Sequence, residues 1–99
     1  MNKKSEIEQI KDKILPILKN HKVTKAGIFG SYARGEQKNK SDVDILVEID
    51  DNGMGLLEFI RLKNILEKAI KRKIDLVEYS LIREEIRERI LNDEIPILR

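Results

Sequence analysis

The stretch that most constrains the fold is Asp42 to Ile49, DVDILVEI, where Val43, Ile45, Leu46, Val47 and Ile49 leave few polar positions. A strand with one wet face alternates apolar and polar residues, so a run this apolar implies cover on both faces. Val23 to Phe29 reads as a second strand. A third, Ile74 to Tyr79, alternates as IDLVEY and carries Asp75. Ile7, Ile10, Ile14 and Leu18 recur at helical intervals, predicting a helix from about Glu6 to Lys19, and Ser5 with Glu8 has capping-box spacing at its start. Pro16 predicts a kink or interruption, with a bend near Asp12 to Leu15.

The cluster Asp50, Asp51, Asn52, Gly53 and Gly55 reads as a turn, and Met54 to Ile70 as a helix. Leu56, Phe59, Ile60, Leu62, Leu66 and Ile70 supply its apolar period, which Lys63 interrupts. A last helix from about Ile82 to Leu91 would bury Ile82, Ile86 and Ile90, and Pro96 prevents its continuation. The order helix, strand, strand, helix, strand, helix places the chain in the α/β (α+β) class, as a small mixed sheet with helices packed against it.

At 99 residues the chain is expected to form one domain, 1–99, with no room for a separate substrate-binding domain. Its acceptor must dock on an open face or come from a partner. Twenty basic against 18 acidic residues leave only +2, so no strong global field draws the protein to nucleic acid or an anionic membrane. Without cysteine, and with His21 as the lone histidine, a zinc site lacks ligands, which leaves oxygen-ligated metal. No run approaches the roughly 20 apolar residues of a membrane span, so a cytoplasmic location is expected.

Ten residues separate the pair Gly30-Ser31 from Asp42, which with Asp44 forms an Asp-x-Asp pair. In a strand these carboxylates share a face, with alpha carbons about 6.6 Å apart. Glycine after a strand lets the backbone approach a ligand, and serine adds a hydroxyl and amides for phosphate oxygens, although such a pair alone also suits an ordinary turn. Aspartates at a strand start can simply cap a turn. Inside so apolar a run they cost free energy unless paired or metal-bound, and two on one face repel unless a cation lies between them. Paired carboxylates suit two Mg2+ ions and in-line displacement at phosphorus. If the IDLV strand pairs beside DVDILVEI, Asp75 completes a three-carboxylate cluster and could orient or deprotonate an attacking hydroxyl.

The run GSYARGEQKNKSDVD followed by IDLV resembles the minimal nucleotidyltransferase family of the DNA polymerase beta superfamily, over nearly the whole chain in order of elements. Some members are MntA-type antitoxins that act beside a HEPN-domain ribonuclease toxin. The resemblance implies transfer of AMP from ATP to a toxin tyrosine, with Gly30 and Ser31 on the nucleotide phosphates and Asp42 and Asp44 holding both Mg2+ ions. It further implies that Asp75 ligates the catalytic metal and faces the acceptor. Arg34 either neutralises triphosphate charge or forms a surface ion pair. Lys38 and Lys40 either approach phosphate or lie in a solvated loop, and Tyr32 packs or shapes the loop. Expected partners are the toxin and ATP, in a homo-oligomer or a hetero-oligomer with the toxin; nucleic acid is disfavoured for want of a second basic domain. Two other readings remain: a binding-only antitoxin with a vestigial site, and a transferase acting on a small hydroxylated molecule. His21 reads as a loop residue. Tyr79 reads as a half-buried strand residue or a self-modification site.

Overall fold

The computed structural model describes residues 6–35, 42–50 and 54–98, apart from the side chain of Ser31. The elements are α1 (Glu6–Asn20), β1 (Val23–Phe29), α2 (Gly30–Arg34), β2 (Val43–Ile49), α3 (Leu56–Ile70) and β3 (Ile74–Glu78). A 3-10 turn (Tyr79–Leu81), α4 (Glu84–Asp93) and β4 (Ile95–Leu98) complete the chain. The four strands form one mixed sheet in the order β3-β2-β1-β4. β1 is antiparallel to both β2 and β4, while β2 and β3 are parallel.

The two-faced apolar run is explained by the layers around β2. Val43, Ile45 and Val47 point to one side, into a core shared with Ile10, Ile14 and Leu18 of α1 and Leu62, Leu66 and Ile70 of α3. Leu46 points to the other, where it packs with Tyr79 and Ile82 and is covered by Ile90 and Leu91 of α4. Each such side chain contributes about 1.5–3 kcal/mol of burial, so pinning β2 between two layers fixes its register.

Several expectations are corrected. The interruption expected at Pro16 does not occur, and α1 runs unbroken from Glu6 to Asn20; the ring costs one intrahelical bond, and the stripe Ile10, Ile14 and Leu18, buried in the core, outweighs it. Its end is closed by His21, whose Nδ1 lies 2.7 Å from the Ile17 carbonyl and therefore donates to it. Ile86 is exposed, because Ile82 precedes α4 instead of opening its stripe and the helix meets the sheet through Ile90 and Leu91. In α3 the buried row is Leu62, Leu66 and Ile70, with Leu56 and Ile60 exposed. β3 ends at Glu78, and Tyr79 begins the 3-10 turn. Two elements had no sequence signal: α2, one short turn of helix, and β4, which uses Pro96 on the sheet edge, where a missing amide is tolerated. Ser5, Lys38, Lys40, Asp51, Asn52 and Gly53 lie outside the described residues. Among those described, no helix is long and apolar enough to cross a membrane.

Candidate active site

Strand directions gather the site at one end of the sheet. β1 runs antiparallel to β2, so its C-terminus, Phe29, lies opposite Asp44 near the start of β2. β3 runs parallel, so its own start lies at the same end, and Asp75 is the registered partner of Asp44. Residues paired in a ladder project to one face. For Asp44 and Asp75 that is the α4 face, since Leu46 and Val77, each two residues further on, pack there. The Val43 amide extends the pairing by donating to the Lys73 carbonyl at 2.9 Å.

Gly30 follows β1 directly, with φ of 72°, a left-handed conformation that side chains rarely adopt. A Cβ placed there would overlap the Asp44 carboxylate and lie 3.1 Å from its Cγ. The glycine therefore permits both the sharp passage from β1 into α2 and the close approach of backbone to carboxylate. Ser31 is the second residue of α2 and Arg34 its last.

Behind α2, Tyr32 is buried, and the Arg72 guanidinium lies 5.9 Å from the centre of its ring. Arg72 also bridges to Glu6 at 2.9 Å. These residues brace α2 from the start of α1 and from the turn between α3 and β3. A separation of 66 residues between Glu6 and Arg72 left no linear pattern by which the bridge could be found.

Asp42 is exposed just before β2, Asp44 is half-buried and Asp75 is exposed. Burial pushes the Asp44 carboxyl up to about 6; the Asp75 and then the Asp42 charges add to the rise, and Arg34 opposes it. Asp44 thus senses three other expected site residues, Asp75, Asp42 and Arg34. Their chemistry suits a hard divalent cation: three carboxylates, with Asp44 pushed toward protonation in the absence of a cation, flanked by a backbone able to approach phosphate. As the side chains stand, no set of three His, Cys, Asp or Glu among the described residues is closed around an ion position. The fit is one of donor type and, for Asp44 and Asp75, of shared face.

Tyr79 lies away from this cluster. It is buried, its hydroxyl donates to Glu94 Oε2, and its ring faces the Lys25 ammonium at 4.7 Å. That placement makes it a packing residue.

The family model described as Polymerase beta, Nucleotidyltransferase matches residues 12–99. The chain belongs to the polymerase beta nucleotidyltransferase family. This nucleotidyltransferase is 48% identical over 92 residues to a Methanocaldococcus jannaschii protein named "Putative protein adenylyltransferase", covering 93% of this chain and 98% of that one. It is 40% identical over 75 residues to Protein adenylyltransferase MntA of Thermococcus cleftensis, covering 76% of this chain and 75% of that protein. Among solved structures it resembles a chain of a toxin-antitoxin crystallised with AMP-PNP, with a TM-score of 0.75 and 25% identity, covering 88% of this chain and 71% of the other.

Proposed function

We propose that this nucleotidyltransferase is an Mg2+-dependent protein adenylyltransferase, an antitoxin that moves AMP from ATP to a tyrosine of a partner HEPN toxin. The observation that carries the reading is the register of Asp44 against Asp75 with Gly30 backed onto Asp44. Support for the nucleotide and the partner comes from the AMP-PNP toxin-antitoxin likeness and the MntA relative. We read residues 1–99 as one nucleotidyltransferase domain working in the cytoplasm, with the acceptor hydroxyl on the partner toxin.

In this reading Gly30 and Ser31 receive the phosphates of ATP, and Arg34 offsets part of their charge. Asp42, Asp44 and Asp75 would hold Mg2+, which when bound neutralises phosphate charge and favours in-line displacement. Asp75, exposed at the sheet edge, faces the incoming tyrosine and takes its proton. The phenolic oxygen attacks the α-phosphorus, a new O–P bond forms, the bond to the β-phosphate bridge breaks, and pyrophosphate leaves.

Incubation with ATP labelled at the α-phosphate, Mg2+ and the product of the adjacent gene should label a tyrosine of that product. Asp42→Ala combined with Asp44→Ala should abolish the label. An unlabelled partner, or full labelling by the double variant, would sink the reading. Neutralisation of the partner at one-to-one stoichiometry without ATP would favour a binding-only antitoxin instead.

A further inference from the structure

We propose that Lys68, Lys71 and Lys73 form a docking surface for an acidic segment of the protein acceptor; this rests on the adenylyltransferase reading above. An open hollow of about 500 Å³ is lined by Asn64, Glu67, Lys68, Lys71, Arg72 and Lys73, where α3 turns into β3. Two of its charged members are already engaged. Glu67 Oε2 accepts the Ile74 amide at 2.8 Å, and Arg72 is held by Glu6. No ion pair among the described residues engages the three lysines, so the hollow presents three positive charges to solvent.

The helix macrodipole accounts for cations at the C-terminal end of α3, where Lys68 stands in the last turn and Lys71 caps the helix. It does not account for Lys73. That residue is past the helix and just before β3, where its carbonyl accepts the Val43 amide, and it stands two residues before Asp75. The basic shoulder therefore stands at the same end of the β3 edge as the carboxylates, on the α3 side of the sheet, whereas Asp44 and Asp75 project to the α4 side, and an acceptor reaches both by wrapping that edge. β3 is a sheet edge, so this side is open to a large acceptor.

Charge complementarity calls for an anion, and the surroundings favour a polypeptide over nucleic acid. Single-stranded nucleic acid binds through aromatic stacking platforms as well as charge. All four aromatic residues, Phe29, Tyr32, Phe59 and Tyr79, are buried or half-buried, and none lines the hollow. A phosphate backbone continuing past the shoulder would also meet Asp42 and Asp75. An acidic protein segment can end at the lysines while its neighbouring hydroxyl enters the site.

The test compares the wild-type chain with Lys71→Glu combined with Lys73→Glu, and with a charge control on α1, Lys11→Glu combined with Lys13→Glu. With the adjacent gene product as acceptor, the shoulder variant should raise the acceptor KM about tenfold and leave the ATP KM unchanged. The control should change neither. A separate titration with poly-L-glutamate at low ionic strength should show binding that the shoulder variant loses and the control keeps. An unchanged acceptor KM, a parallel rise in ATP KM, or poly-L-glutamate binding indifferent to the lysines overturns the proposal. So does a lysine-dependent preference for a single-stranded RNA probe. Should the wild type label no partner at all, the adenylyltransferase reading fails, and the poly-L-glutamate titration still decides the surface.

Discussion

Gly30 lies against the carboxylate of Asp44 so closely that the volume of one methyl group at residue 30 is already taken by that side chain. Gly30→Ala therefore meets two penalties. The left-handed backbone costs a residue with a Cβ about 1–2 kcal/mol, and the added carbon displaces the carboxylate. The variant should melt at a lower temperature and lose most transfer activity. Wild-type activity from a folded Gly30→Ala protein would show that the contact is dispensable.

The raised pKa of Asp44 sets the sign of a stability change in chelator. Folding lifts this carboxyl to about 6, above its ordinary value, so the folded state binds the proton more tightly than the unfolded one. The associated stabilisation is fully present below about pH 4 and is lost as pH rises through about 6. Because the group is partly solvated, the loss is on the order of 1 kcal/mol. Urea melts in chelator from pH 4 to 7.5 should show it in the wild type, and Asp44→Asn should flatten it. Added Mg2+ should stabilise the wild type more at pH 7.5 than at pH 5, because protons compete for the same oxygens.

Asp75 is exposed and holds no packing role, so Asp75→Asn should fold with stability within about 0.5 kcal/mol of the wild type. On the proposed role, its transfer rate should fall about 100-fold or more. It also removes one of the charges that raise Asp44, so a carboxyl-resolved NMR titration should find the Asp44 pKa lowered. An unmoved Asp44 titration would mean that the two carboxylates do not interact.

Tyr32 separates packing from polarity. Its ring is buried, and its hydroxyl has no hydrogen-bond partner among the described residues. Tyr32→Phe should then be neutral or stabilising by up to about 1 kcal/mol, while Tyr32→Ala should cost about 3–5 kcal/mol. Denaturation midpoints of the two variants check this directly. A costly Tyr32→Phe would point to a bridging water on the hydroxyl.

The strands and long helices were legible because their apolar residues repeat at the periods that burial imposes. DVDILVEI announced its two covered faces, and GS, ten residues, DxD announced the end of the sheet that matters. What escaped was set by contacts distant in sequence. β4 has four residues and a proline, and it exists because the edge of β1 offers it a partner. The exposure of Ile86 was hidden because helical spacing alone does not say where a helix starts. The facing of Asp44 and Asp75 was conditional in the sequence, since an aspartate in an apolar triplet fixes neither the neighbour of its strand nor its register. The pairing of β2 with β3 supplied both.

That pairing makes the short passage from Ile70 to Ile74 a ruler for the chemistry. Side chains alternate along a strand, so deleting one residue between α3 and β3 while preserving the hydrogen-bond ladder would turn Asp75 toward α1 and α3 and bring Ile74 or Leu76 to the opposite face. Loop length here is therefore as much a functional specification as the identity of any carboxylate, and variation among kindred chains should fall at the far end of the sheet before it falls in this turn.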